Sequence, residues 1–349
     1  MCRKADAKQC GNTSNSSLYL DTGIFFTLFS SFADEEIDTL LEVRTMKKTI
    51  TLLMTIALTL ALCCGAFAES YSVGVCQLMV HDSLDQATQG FVDALTEKME
   101  EAGNTVDIDT QVAGDASLCT TVVNAFNAKR VDLIMANGTP ALLAAANMTT
   151  ETPILGTSVT DYADTFAGEV PANVTGTSDA VPFAEQAQMM IDTLGLVEGD
   201  PVGVLYCTNE SNSLIQYEAV KALFEEAGIV VNAYTFSETT ELQAVATSMA
   251  NECKAVYIPS DNTVAANDTI VGTICNEQNV PIYTSYGGAI CYASLAIDYY
   301  QLGYETGLMA ADILLNGASP ADIEIMTLTP AVTYNEELCA QLGIEVPAN

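Results

Sequence analysis

From Tyr71 onward, apolar and polar positions switch repeatedly between two periods. Tyr71–Val80 is a continuous apolar, β-branched run, the pattern of a strand covered on both faces. At Ser83, expected as an N-cap, the spacing becomes helical. Leu84, Ala87, Phe91, Leu95 and Met99 then share one face, and Gly103 is the stop. The same alternation predicts strands at Val106–Val112, Val131–Ala136 and Pro153–Val159, with helices at Ser117–Ala128 and Pro140–Asn147. Thr139 is the expected cap of the latter, with Pro140 in its first position. A looser stretch, Tyr162–Asn173, leads into Val174–Asp179, and the series restarts. Helices follow at Pro182–Leu194, Ser213–Ala227, Thr240–Asn251 and Thr263–Gln278, and strands at Val202–Cys207, Val230–Phe236, Ala255–Pro259 and Pro281–Ser285. The tail reads as strand Ala293–Asp298, helix Tyr300–Asn316, strand Ile323–Thr327 and short helix Glu336–Leu342.

Two βα series with one break predict an α/β protein of two doubly wound, parallel-sheet lobes. The tail is long enough to return to the first lobe and cross back, which makes a three-strand hinge. The expected bounds are 69–179 and 296–316 for the first lobe, and 180–295 and 317–349 for the second. Ahead of them stand Met46-Lys47-Lys48, the apolar run Thr49–Leu62 and Ala66-Phe67-Ala68, the plan of a secretory signal peptide over 46–68. Residues 1–45 then read as an over-extended or disordered leader. A transmembrane anchor is the alternative, although the run is short for one. A lipid anchor at Cys63 or Cys64 is the alternative to cleavage after Ala68, because Leu60-Ala61-Leu62-Cys63 is similar to the box before a lipidated cysteine.

Charge narrows the partners. After Ala68 the chain carries 38 acidic residues against Lys98, Lys129, Arg130, Lys221 and Lys254, a net charge near −33. Such a surface is repelled by phosphate backbones and anionic membranes, which excludes nucleic acid as a partner. Seven cysteines remain in this part, with no C-x-x-C pair, so zinc and thioredoxin-like chemistry are not indicated. Buried free thiols are the simplest reading.

Parallel sheets bind ligands beyond the carboxyl ends of their strands. The polar clusters fall there: His81-Asp82-Ser83, Asn137-Gly138-Thr139, Ser158-Val159-Thr160-Asp161, Thr208–Ser213, Ser260–Thr263 and Ser285-Tyr286. Ser, Thr, Asn and Asp also serve as ordinary caps at such turns, so each cluster alone is ambiguous. Six of them at strand ends of two lobes point to a shared polar cleft. His81 is the only histidine, and no G-x-S-x-G, H-E-x-x-H, G-x-G-x-x-G or P-loop string occurs; no enzyme, cofactor or metal is expected. All five basic residues lie on expected helices or their far ends. A dianionic ligand therefore lacks an Arg fork. Backbone N–H groups near Thr139 or Ser213 suit one carboxylate, and Asp261 or Asp161 suits an ammonium, so a zwitterion such as an amino acid fits. Tyr162, Tyr206 and Tyr286 are candidate apolar faces.

Five strings in order resemble one family. They are GVCQLMVHDSLDQATQGF at Gly74–Phe91, NVTGTSD at Asn173–Asp179, GVLYCTNESNS at Gly203–Ser213, YIPSDNT at Tyr257–Thr263 and IDYYQLG at Ile297–Gly303. Together they are similar to the ABC-transporter substrate-binding family whose named members bind tryptophan or tyrosine. The resemblance implies a type I periplasmic-binding-protein fold, delivery of the ligand to an ABC permease in the membrane, and aromatic amino acids as one ligand class; a monomer is expected, and the signal peptide implies secretion. It places Ser83, Thr139, Thr160, Asp161, Asn209, Ser211, Ser213, Asp261 and Asn262 at the ligand, with His81 and Tyr286 as further candidate contacts. The sequence departs from the family at Val80-His81-Asp82-Ser83, where an acid usually precedes the histidine and a proline follows it. It departs again at Asn137-Gly138-Thr139-Pro140. Both differences bear on the ligand's side chain more than on the fold. A sensor domain that signals to a receptor is the other reading the fold permits, and an enzyme would have to use His81.

Overall fold

The structure, a computed structural model, describes residues 46–52, 54–55 and 68–347. The expected leader over 1–45 and most of the expected signal lie outside them. Residues 46–52 and 54–55 are helical and form a body of their own. No helix among the described residues is long and apolar enough to cross a membrane.

From Ala68 the chain builds two six-stranded sheets. In the first lobe β1 (Ser70–Gln77), β2 (Thr105–Val112), β3 (Leu133–Asn137), β4 (Ile154–Val159) and β5 (Val174–Ser178) alternate with α1 (Asp82–Glu101), α2 (Ala116–Lys129), α3 (Thr139–Met148) and the short α4 (Tyr162–Thr165). The second lobe repeats the plan. Its elements are α5 (Phe183–Leu194), β6 (Pro201–Cys207), α6 (Ser211–Glu226), β7 (Val230–Phe236), α7 (Thr239–Glu252), β8 (Ala255–Ile258), α8 (Asn262–Ala265), α9 (Asp268–Glu277), β9 (Ile282–Thr284) and β10 (Ala293–Ala296). Then come α10 (Tyr299–Asn316), β11 (Met326–Thr327), β12 (Ala331–Tyr334) and α11 (Glu336–Leu342). The sheet orders, β11-β5-β4-β3-β1-β2 and β12-β10-β9-β8-β6-β7, are the same doubly wound order. Every pairing within them is parallel except β10 with β12. Central strands β3, β4, β5 and β8 are buried throughout, whereas β2 and β7 alternate at sheet edges, as helices on both faces of a parallel sheet require.

The chain passes between lobes three times: from β5 to α5, from β10 to α10, and from β11 to β12. Strand β11 pairs with β5, so residues 317–327, expected in the second lobe, reach back to the first sheet. Strand β12 was not legible as one; Ala331, Val332 and Thr333 are exposed, so it carries little apolar signal. The single helix expected over Thr263–Gln278 is two. Its ladder breaks at Asn267, whose side-chain amide donates to the Thr263 carbonyl at 2.8 Å. All seven thiols from Cys76 to Cys339 are buried and unbridged.

Helix α10 crosses back to lie against α1. A Cβ on Gly303 would meet the Ala87 carbonyl oxygen at 1.8 Å, and one on Gly90 would meet that of Tyr300 at 2.1 Å. Only glycine permits this approach, which brings the start of α10, at a lobe crossing, alongside the start of α1. Gly303→Ala must push the helices apart, and overpacking of this kind costs about 1–3 kcal/mol. A lower thermal midpoint with unchanged secondary structure is the expected result in circular dichroism; an unchanged midpoint would show that the two helices shift freely.

Candidate ligand-binding site

The doubly wound order reverses between β1 and β3 in one lobe and between β6 and β8 in the other, and loops at such reversals leave a crevice. Here the two crevices face each other across a seam. The first lobe lines it with His81, Ser83, Leu84 and Ser158, the lobe crossings with Asp179 and Tyr299, and the second lobe with Ser260, Asp261, Asn262, Ala265 and Tyr286. At its inner end the seam encloses only about 10 Å³, room for a group the size of a water molecule. Past His81, Ser83, Ala265, Tyr286 and Tyr299, walls shared by both spaces, it opens into a groove of about 710 Å³. That size suits a small organic molecule.

The lobes touch directly. His81 Nε2 lies 3.2 Å from Asn262 Oδ1. Glu210, buried at the start of α6, explains the arrangement. One of its oxygens accepts from Asn262 N at 3.0 Å and Asn262 Nδ2 at 2.6 Å, and the other from Thr263 N at 2.8 Å and Thr263 Oγ1 at 2.7 Å. With its amide donors spent on Glu210, Asn262 turns Oδ1 to His81, which donates through Nε2. Burial holds the imidazole below its ordinary pKa, against the opposing pull of Asn262, Glu210, Asp85 and Asp82.

Two buried acids line the seam, and they differ. Asp261 Oδ2 accepts from Cys207 N at 2.7 Å and Ser213 Oγ at 2.8 Å, while Oδ1 caps α8 through Val264 N at 2.9 Å. Burial, with Glu210 close by, pushes its pKa well up. Asp179 sits where the chain leaves β5, 5% exposed. Its side chain accepts from Thr160 Oγ1 at 3.1 Å on Oδ1 and from Tyr299 OH at 3.0 Å on Oδ2. Burial raises its pKa, and these two bonds, with its own backbone N–H, oppose the rise. No lysine or arginine lines the seam or the groove among the described residues. Ser158 Oγ and Tyr286 OH, both buried in the seam wall, have no protein partner. Ser158 is also held at φ 54°, a left-handed conformation that serine adopts at a cost.

Of the residues expected at the ligand, Ser83, Asp261, Asn262, His81 and Tyr286 meet in the seam. Ser83 lies in the first turn of α1 rather than capping it; His81 is the N-cap residue and makes no side-chain cap bond. Thr160 and Ser213 act one step back, holding Asp179 and Asp261. Thr139 follows the cap position, which Gly138 occupies, and its buried hydroxyl has no partner. Asp161 caps α4 through Asp164 N at 2.9 Å, outside the seam. Asn209 is exposed and donates to the Ser237 carbonyl at 3.1 Å, and Ser211 is exposed at the start of α6. Both turn away because the loop's inward position goes to Glu210. Tyr162 and Tyr206 are packing: one donates to the Thr177 carbonyl at 3.1 Å, and the other stacks on Tyr217 at 5.0 Å. Asp179 and Tyr299 are the additions, while Ser158 and Ser260 belong to the polar clusters already expected at the cleft. Asp179 ends the NVTGTSD string and Tyr299 opens the IDYYQLG helix, so position at the crossings was the available signal.

The family model for ABC transporter substrate binding protein matches residues 72–349. The chain belongs to the ABC transporter substrate-binding protein family. It is 32% identical over 285 residues to the tyrosine-binding protein of Clostridioides difficile, covering 78% of this chain and 81% of that one. An ABC domain in complex with L-Trp from Streptococcus pneumonia has a TM-score of 0.73 at 32% identity, covering 79% of this chain and 96% of the other. The ligand-free, open structure of a Clostridium difficile substrate-binding protein with adhesive properties scores 0.59, also at 32% identity, covering 80% and 97%. At equal identity, the chain superposes better on the L-Trp complex than on the open form. A myo-inositol-binding solute protein from Bacillus halodurans, 16% identical with a TM-score of 0.57, shares the fold alone. The fold is that of type I periplasmic binding proteins, and the family is extracytoplasmic. As a member of a family that binds small molecules without transforming them, the chain is a binding protein and not an enzyme.

The imidazole gives the seam a pH dependence. His81 takes a proton less readily in the shut seam than exposed in water, where its pKa is about 6.5. Its contribution to closure is therefore present above about pH 6.5 and is lost as pH falls below that value toward the lowered pKa of the shut state. X-ray scattering from pH 8 to pH 5 is expected to show the protein expanding on the acid side. His81→Gln should lose that part of the change, and an identical profile in the variant would exclude the imidazole as its source.

Proposed function

We propose that this protein captures a zwitterionic small molecule, an amino acid with an aromatic side chain, in the interlobe seam and delivers it to an ABC permease outside the cell. Asp179 carries the reading. A carboxylate this deeply buried is costly without a counter-charge, and among the described residues its side-chain partners are two hydroxyls and no cation. The narrow inner end beside it suits an ammonium group. The uncapped first turn of α1 supplies Ser83 and unpaired backbone N–H groups to the same space, a setting that favours a carboxylate. The two charges of an amino acid then lie across one end of the seam. Its side chain extends into the groove beside Tyr286 and Tyr299, both of which present aromatic surface there. The lack of lysine and arginine along both spaces disfavours dianionic ligands. The tyrosine-binding relative and the L-Trp complex support the aromatic class. Binding across the seam stabilises the shut arrangement, as in a hinged clamp.

The signal peptide over 46–68, with a lipid anchor at Cys63 or Cys64 as its variant, fits export of the monomer to the cell surface. Asp261, expected with Asp161 as the alternative ammonium partner, is here a support: its oxygens hold three protein donors, Cys207 N, Ser213 Oγ and Val264 N, against the two side-chain hydroxyls on Asp179.

A thermal-shift screen of the twenty amino acids tests the reading. Ligand at a hundred times its Kd stabilises by about 2.7 kcal/mol, enough to move the midpoint visibly. L-Tyrosine or L-tryptophan is expected to raise it, and Asp179→Asn to weaken binding at least thirtyfold, roughly the consequence of removing one partner of a buried charge pair. A shift from none of the twenty, or an unaltered shift in Asp179→Asn, would contradict the proposal.

A further inference from the structure

We propose that Gln216 is a closure latch that prepares Asp179 for a cationic group only when the lobes are shut, an inference that rests on the reading of Asp179 above. Gln216 is buried on α6 in the second lobe. Its Oε1 accepts from Ser260 N at 2.9 Å, which fixes the orientation of the amide. That leaves Nε2 pointing across the seam to Thr160 Oγ1, 3.1 Å away at the end of β4 in the first lobe. An amide nitrogen only donates. Thr160 must accept from it, so its single hydroxyl proton is committed to Asp179 Oδ1 at 3.1 Å. Tyr299 OH holds the other oxygen at 3.0 Å. The outcome is a directed chain, Gln216 to Thr160 to Asp179, in which both carboxylate oxygens accept and neither is left to share a proton with a neighbour.

Opening the lobes separates Gln216 from Thr160, because the two residues belong to different lobes. The threonine hydroxyl is then free to rotate away, and Asp179 loses a donor that favours its charged form. Recognition and closure become one event. A ligand bringing an ammonium meets a prepared carboxylate only in the shut protein, and while the latch holds, its departure is slowed. Ser260 N takes part in the same bond and Ser260 lines the seam, so the latch is anchored to the cavity wall. The role assigned is positioning: Gln216 itself is absent from the seam lining.

Surface plasmon resonance with L-tyrosine over immobilised full-length protein separates the steps. Gln216→Leu is expected to release L-tyrosine about tenfold faster with association unchanged, since the latch forms after the ligand enters. Thr160→Val attacks the same bond from the other lobe, in case the leucine variant folds poorly. It should show the same pattern, and the double variant should be no worse than the weaker single one. Thr160→Ser, which restores the hydroxyl, should recover slow release. Unchanged release in Gln216→Leu or Thr160→Val, or a loss confined to association, would overturn the latch while leaving the site intact if Asp179→Asn still weakens binding at least thirtyfold. Equal binding by Asp179→Asn and the parent would overturn both.

Discussion

The structure turns on a carboxylate with no cation. Asp179 is buried where the chain first passes between lobes, and among the described residues no lysine or arginine lines the seam beside it. Burying such a group is unfavourable by several kcal/mol unless charge or hydrogen bonds compensate, and two hydroxyls compensate in part. In the proposed reading a ligand's positive charge completes the compensation at the hinge. Ligand charge is then coupled to lobe closure more directly than by contacts at the cleft rim, because Asp179 belongs to a crossing.

The rest of the fold serves to bring this point together with its surroundings. Identical strand orders in the two sheets set two crevices face to face. The glycine-mediated approach of α10 to α1 delivers Tyr299 to Asp179 and the open first turn of α1 to the same seam. Glu210 spends its four hydrogen bonds holding Asn262 and Thr263, so that Asn262 meets His81 from the other lobe. The seam is thus built from backbone topology first and from buried acids second.

Most of this architecture could be read in the chain, since buried parallel strands and amphipathic helices carry strong periodic patterns. The strand expected over Val230–Phe236 and the helix over Glu336–Leu342 match residue for residue. Strand β12 escaped because it is short, antiparallel and exposed, and the split at Asn267 because an asparagine within an otherwise helical pattern is weak punctuation. The site was legible as a set of loops but not as a set of roles. In the Thr208–Ser213 cluster the hydrophilic residues looked alike, yet Asn209 and Ser211 face solvent while Glu210 and Ser213 face inward. Which acid caps a helix and which is left with hydroxyls depends on contacts distant in sequence, such as Tyr299 on Asp179, and no local spacing reveals them.

A crystal structure of the protein with L-tyrosine is the most direct test of the claim that Asp179 receives the ligand's positive charge. The ligand nitrogen should lie within about 3 Å of an Asp179 carboxylate oxygen, with the ligand carboxylate at the first turn of α1. A ligand nitrogen placed on another acid, with Asp179 still bound only to Thr160 and Tyr299, would contradict the account.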